Sequence, residues 1–367
     1  MDLSSFTIIL TDHCNFDCVY CYPKKGRRWL DSTVLIRALD FFYPFFTREC
    51  NIDFYGGEPL LAFDTIRKTV EQIEGLSKNP RIKAHYSLTT NGSLLTDDVL
   101  DFLGDHKFSL LLSFDGLAQN ISRKRGSFGF LVSVIPKILE RPHISLETNS
   151  VFTSETIGNL SGSIKLLIQL GVQNVSVAFN HRLPWTSSSV LRLKREMALV
   201  RNYFRSHYQK TGDVPWAELG EEWENAVYRC PAGLNKMALA ADGTLWGCFL
   251  FSQYFNDSKN TRESRNYCFG DVDAFIENHR TIYPQVLENY SALRMDRFST
   301  PDRLCAFCDK IEECWVCPLA AGLTSGTIGR IPASVCRGAK MWRNERRLFR
   351  ERFERPNKKD GNAVSAG

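Results

Sequence analysis

Along the first half of the chain, short runs rich in β-branched and aromatic residues alternate with longer stretches of helical period. The runs are residues 6–10 (FTIIL), 52–56 (IDFYG), 85–90 (HYSLTT), 108–114 (FSLLLSF), 144–152 (ISLETNSVF) and 174–179 (NVSVAF). Helical stretches follow them, among them 64–73, 131–139, 157–170 and 191–207. This alternation predicts βα units around a parallel sheet. Six units make an α/β fold of the partial (β/α)6, TIM-like barrel type, with its chemistry expected on loops at the C-terminal ends of the strands. After Gly212 the alternation fades, and eight of the twelve cysteines fall between Cys230 and Cys336. The expected organisation is a barrel over 1–212, a linker and small cysteine-rich domain with a C-terminal helix over 213–355, and a flexible tail over 356–367. In the last helix Trp342, Phe349 and Phe353 recur at helical spacing among charges, which predicts an amphipathic helix docked on the body.

Composition adds bounds. With 367 residues, 43% hydrophobic and 24% charged, the chain has room for two domains and a sizeable core. No apolar run approaches the ~18 residues a membrane helix needs. The start, MDLSSFTIIL, has no basic n-region and carries Asp2, so a cytoplasmic location with no membrane partner is expected. The net charge of +5 is concentrated: residues 337–361 hold ten Lys/Arg and four Asp/Glu, leaving the remainder at −1. A body of that balance excludes a nucleic-acid partner.

In a reducing compartment twelve cysteines point to metal rather than disulfides. Cys50 stands apart and reads as a buried structural thiol. The sharpest signal is CNFDCVYC, with Cys14, Cys18 and Cys21 at x3 and x2 spacing directly after the first run. Three thiolates on one loop can grip three corners of a cubic four-iron cluster and leave one iron open. A zinc site is the alternative and would need a fourth ligand, for which His13 is the local candidate. FYGGEP follows the second run: Gly56 and Gly57 permit close backbone approach, and Glu58 offers an acceptor for a ligand ammonium. TTNG (89–92) follows the third run, its short polar groups suited to ribose hydroxyls. SFDG (113–116) closes the fourth, with Lys124, Arg125 and Gly126 behind it.

Together these motifs resemble the radical SAM enzymes, whose hallmark is C-x3-C-x-aromatic-C after the first barrel strand. The resemblance implies a [4Fe-4S] cluster on Cys14, Cys18 and Cys21, with S-adenosyl-L-methionine chelating the open iron and cleaved reductively to a 5′-deoxyadenosyl radical. It implies that Tyr20 packs near the adenine and that Gly56, Gly57 and Glu58 bind the methionyl amino group. Thr90 and Asn91 would meet the ribose, and Ser113 and Arg125 the ribose and carboxylate. Asp115 stands between a ligand role and a turn or cap.

The second half resembles the SPASM extension of a subset of these enzymes. Cys230, twelve residues, Gly243, four residues and Cys248 match its first element; Cys305-x2-Cys308-x5-Cys314-x2-Cys317 and Cys336 match its second. The last close spacing is x2 where the pattern has x3. Two auxiliary [4Fe-4S] clusters are implied, one on Cys305, Cys308, Cys314 and Cys336, the other on Cys230, Cys248 and Cys317. Its fourth corner falls to Cys268 or stays open. A zinc ribbon is the alternative for residues 305–317.

By this resemblance the chain is expected to abstract hydrogen from a peptide or protein side chain, as a maturase of ribosomal peptides that forms a crosslink or an oxidised residue. A sulfatase-maturase-like, formylglycine-generating enzyme is the alternative. A non-catalytic iron–sulfur or zinc scaffold is a third reading, which leaves GGEP, TTNG and SFDG unexplained. A flavodoxin or ferredoxin reductant is implied. A leader-recognition domain of ordinary size would need about 80 residues ahead of the first strand, so leader recognition is expected from the barrel mouth, the extension or a separate protein. Asn180, His181 and Arg182 after the sixth run, and Glu147 and Asn149 on the fifth, lie where a barrel would aim them at substrate. No acid or base is assigned among them.

Overall fold

A computed structural model describes residues 1–21, 25–76, 82–180, 184–216, 219, 226–258 and 261–353. The expected tail, 356–367, lies outside the described residues.

The six predicted runs are strands β1 (Leu3–Ile9), β2 (Phe46–Tyr55), β3 (Lys83–Thr90), β4 (Ser109–Ser113), β5 (Ser145–Phe152) and β6 (Asn174–Phe179). Consecutive strands pair in parallel, with Ile9 opposite Tyr55 and Leu112 opposite Thr90. The loops that carry the motifs therefore leave the same edge. The connecting helices are α1 (Ser32–Phe42), α2 (Phe63–Leu76), α3 (Asp97–Asp105), α4 (Gln119–Ser122), α5 (Ser127–Leu139), α6 (Leu160–Gln169) and α7 (Ser187–Thr211). Side-chain caps fix several starts. Asp31 accepts from the amides of Thr33 and Val34, and Thr96 and Thr186 cap α3 and α7 in the same way. Gly212, left-handed at φ 72°, ends α7.

Alternation along each strand sorts the two faces. Phe6, Ile8, Ile52, Phe54, Leu88, Leu110 and Leu112 are fully buried against the helices. The concave face is polar: Asp53 accepts from Ser5 Oγ (2.9 Å), Thr7 Oγ1 (3.4 Å) and Ser87 Oγ (2.5 Å) below the strand ends.

The sheet does not stop at Gly212. Strand β7 (Lys236–Leu239) pairs in parallel with β1, and β8 (Thr244–Trp246) and β9 (Cys268–Asp271) follow antiparallel. The order is β6-β5-β4-β3-β2-β1-β7-β8-β9, an open nine-stranded sheet of the described residues. This is the partial barrel, with an extension that grows from its first strand. Around it lie α8 (Phe249–Tyr254), α9 (Arg262–Arg265), α10 (Val272–Ser291), α11 (Pro318–Ser325) and α12 (Ala333–Phe353). The last is the expected amphipathic helix. Phe349 packs edge-on to Phe204 of α7 at 6.1 Å, Trp342 lies 5.4 Å from Trp216, and Glu345 pairs with Arg201. Cys50 is 1% exposed in the core and its thiol donates to the Asn51 carbonyl, as a structural cysteine does.

Candidate active site

At the C-terminal edge of the sheet the loops enclose a cavity of about 440 Å³. Cys14, Cys18, Tyr20 and Cys21 line it from the loop after β1, and Tyr55, Gly56 and Gly57 from β2 and the turn after it. Thr90, Asn91, Ser113, Asn149 and Asn180 continue the wall strand by strand. The opposite wall comes from the second half of the chain: Asp242, Gln253 and Asn256 beside Ala320 and Val335. The cavity thus lies between the barrel mouth and the cysteine-rich extension.

The two glycines are required by contact. Gly57 N donates to the Thr11 carbonyl (2.7 Å) and Glu58 N to the His13 carbonyl (2.8 Å), so the turn after β2 is laid directly against the cysteine loop. A Cβ on Gly57 would stand 2.2 Å from the His13 carbonyl oxygen, and one on Gly56 2.5 Å from that of Thr11. Glu58, expected to face a ligand, is fully buried and lines no part of the cavity. Its Oε1 accepts from Thr90 Oγ1 (2.6 Å) and Leu60 N (3.1 Å), and its Oε2 from Asn91 N (2.7 Å). Burial raises its carboxyl to about 7, against the downward pull of those three hydrogen bonds. Asn91, held this way, donates from Nδ2 to Asn15 Oδ1 (2.8 Å) and to Cys14 Sγ (3.9 Å). The three motifs are therefore one hydrogen-bonded unit around the cysteine loop.

Arg125, expected to meet the cofactor, is exposed and absent from the cavity wall, just before the left-handed Gly126. Arg123 takes the inner place. Its Nε donates to Asp115 Oδ1 (2.9 Å) and its Nη2 to the Asn149 carbonyl (3.1 Å), and it lines the cavity. Asp115, fully buried, also accepts from Tyr20 Oη (2.6 Å) and Val151 N (2.8 Å). The guanidinium carbon of Arg123 lies 5.4 Å from the Tyr20 ring centroid. Spacing alone pointed at the wrong basic residue of Arg123-Lys124-Arg125; the buried aspartate of SFDG is what selects the first. Arg28 was also missed. It pairs with Asp12 (2.5 Å) in the first half and with Asp242 (3.5 Å) and Asn256 in the second. Glu147 is exposed and away from the cavity, whereas Asn149 and Asn180 line it. His181 and Arg182 lie outside the described residues.

Eleven of the twelve cysteines remain after Cys50, all of them unbridged. Cys14, Cys18 and Cys21 act on one another electrostatically, as do Cys230, Cys248 and Cys317, and again Cys305, Cys308, Cys314 and Cys336. Among the described residues no three His, Cys, Asp or Glu side chains close to the spacing of ligands around a single ion. The sulfurs instead receive donors. Cys14 accepts from Phe16 N (3.5 Å), Cys230 from Ala232 N and the Tyr228 hydroxyl, Cys248 from Leu250 N, and Cys317 from Leu319 N and Ala320 N. Cys268 accepts from Gly270 N (3.4 Å) and, like Cys230 and Cys248, acts electrostatically on the buried Tyr290. Burial pushes Cys18 and Cys230 up to about 11 and Cys248 up to about 12. Each group gathers sulfurs rather than a closed set of ligands around one ion, a donor set that fits an iron–sulfur cluster.

Residues 8–141 match the Radical SAM superfamily model. Over those residues the chain is similar to radical SAM domains, a family that implies a [4Fe-4S] cluster and S-adenosylmethionine. An uncharacterized protein of Methanocaldococcus jannaschii is 30% identical over 172 residues, covering 46% of this chain and 59% of that relative. The chain therefore matches less than two thirds of that protein's length. Among solved structures, anSMEcpe with bound AdoMet and the Kp18Cys peptide superposes with a TM-score of 0.71 at 15% identity, covering 95% of this chain and 97% of the other. Streptococcus suis SuiB bound to precursor peptide SuiA gives a TM-score of 0.58 at 17% identity, covering 91% and 76%. These two share the fold. No helix among the described residues is long and apolar enough to cross a membrane.

Proposed function

We propose that the chain is a radical SAM enzyme that modifies a peptide or protein side chain and carries two auxiliary iron–sulfur clusters. The observation that carries this reading is the gathering of ten cysteines into three groups, one of them on the wall of a cavity that the cysteine-rich half helps to close. We take 1–212 as the barrel and 213–355 as the auxiliary unit, joined through the β1–β7 pairing.

Cys14, Cys18 and Cys21 would hold a [4Fe-4S] cluster, which would supply the electron for reductive cleavage of S-adenosylmethionine. The chain's own residues bind and orient. Gly56 and Gly57 bring backbone within reach of the methionyl end. Glu58 holds Thr90 and Asn91 in place, while Ser113 and the remaining nitrogen of Arg123, Nη1, are left for ribose and carboxylate. Tyr20, fixed by Asp115, closes the adenine side. Cys305, Cys308, Cys314 and Cys336 would hold one auxiliary cluster, and Cys230, Cys248 and Cys317 the other, its fourth corner taken by Cys268 or by substrate.

Ribosomal-peptide maturation is the first reading, in line with SuiB and its precursor peptide. Formylglycine formation is the second, favoured by near-complete overlap with anSMEcpe. Incubation with S-adenosylmethionine and dithionite tests the shared claim. The wild type should release 5′-deoxyadenosine and Cys18→Ala should not; intact S-adenosylmethionine with the iron-loaded wild type would refute it. Cys308→Ala should keep some uncoupled cleavage. Hydrazide capture of an aldehyde on a cysteine-containing peptide separates the second reading from the first.

A further inference from the structure

Cys305, Cys308, Cys314 and Cys336 line one cavity, whose other walls include the buried Met295 and Ile331. The four side chains share one space, yet among the described residues they do not close on a single ion, which suits a multi-iron centre better than zinc. The charge around them is uneven. Arg303 Nη2 donates to Cys308 Sγ (3.7 Å), and its positive charge also acts on Cys305. Every other sulfur hydrogen bond described above comes from an amide or a hydroxyl. Arg343, which acts on Cys314, is shared with Glu313 at 3.5 Å. Asp309 Oδ1 lies 3.9 Å from the same Cys308 sulfur. The turn that presents Arg303 is made by backbone: Thr300 N donates to the Arg303 carbonyl (2.8 Å) and Arg303 N to Thr300 Oγ1 (3.3 Å). The guanidinium is therefore not needed to hold its own turn.

We propose that Arg303 and Asp309 set the reduction potential of an iron–sulfur cluster held by these four cysteines, Arg303 raising it and Asp309 lowering it. The proposal rests on the auxiliary-cluster reading given above. Reduction adds one electron to the cluster and no proton, so the reduced state carries more negative charge on its sulfurs. A cationic donor favours that state, and a carboxylate beside the same sulfur opposes it. Arg303 is the stronger of the two, because it shares a proton with the sulfur and the carboxylate has none to offer. The apolar walls keep water from one side of the group and strengthen both effects. Neither residue lines the cavity at the barrel mouth, so both act on this centre from outside the cofactor pocket.

The test uses the anaerobically loaded full chain. A redox titration followed by electron paramagnetic resonance reads the midpoint potential, and the signal that Cys308→Ala removes is assigned to this centre. Arg303→Gln should favour the oxidised state about tenfold, a fall of about 59 mV for one electron. Arg303→Lys, which keeps the charge but not the guanidinium fork, should fall by less. Asp309→Asn should move the midpoint the other way. Iron content should match the wild type in all three. An unchanged midpoint in iron-loaded Arg303→Gln, or shifts of one sign in Arg303→Gln and Asp309→Asn, would overturn the proposal; should Arg303→Gln lose iron, Arg303→Lys is read in its place. A wild type without any signal that Cys308→Ala removes, or one holding zinc there, would instead overturn the cluster reading beneath it.

Discussion

Replacing Asp115 by Asn tests whether the buried pair organises the cofactor pocket. Asp115 is fully buried and the Arg123 side chain is 7% exposed, so solvent screens little of their interaction. Asn keeps the shape and can still accept from Arg123 and Val151, but it removes the charge. Leaving one partner of a buried ion pair uncompensated costs about 3–5 kcal/mol. In a domain of this size about 2–4 °C of melting temperature accompanies each kcal/mol, so the melting point should fall by about 6–20 °C. Tyr20→Phe removes one hydrogen bond to the same carboxylate and should cost less, about 1.5–3 kcal/mol. Differential scanning fluorimetry of the anaerobic protein reads both, and equilibrium dialysis reads S-adenosylmethionine binding, which should weaken most in Asp115→Asn. A melting point within about 2 °C of wild type with unchanged cofactor affinity would refute the reasoning, as would a larger loss in Tyr20→Phe.

Glu58 predicts a pH dependence. Its carboxyl is raised from 4.5 to about 7, so the folded state holds a proton that the unfolded state releases. The stability this proton supplies is complete below about 4.5 and is lost as pH rises through 7, a change of roughly 3 kcal/mol at most. Glu58→Gln should therefore cost most near pH 5 and progressively less toward pH 8 in urea melts; a cost that grows with pH would contradict this. Gly57→Ala, which would drive a Cβ to 2.2 Å from the His13 carbonyl oxygen, should displace the cysteine loop and lower iron retention. Gly75→Ala in α2 meets nothing within 4 Å and should stabilise by about 0.5–1 kcal/mol, read by the same melts.

The barrel was legible because its strands announce themselves. Residues 174–179 are β6 to the residue, and β3 and β5 differ from the predicted runs by two residues or fewer. β2 begins earlier than predicted because Phe46 pairs with Leu3 across a bulge, which no local pattern encodes. Strands β7 to β9 were not read. They are three or four residues long, and their place depends on a pairing between Ser5–Ile8 and Lys236–Leu239 that is distant in sequence. The same limit explains the arginine. Arg125 looks like a good ligand on spacing, but Arg123 is drawn inward by the buried Asp115 and by the Asn149 carbonyl of β5, contacts that spacing does not show. Glu58 was seen as a ligand because a carboxylate after two glycines suggests one; its burial beneath Thr90 and Asn91 is a tertiary fact.

Anaerobic iron, sulfide and zinc content, measured together on the full chain, tests the central claim most directly. Three four-iron clusters predict about twelve irons and as many sulfides per chain, with no zinc. About four irons with zinc would keep the radical site but contradict the auxiliary clusters, and with them the proposed maturase.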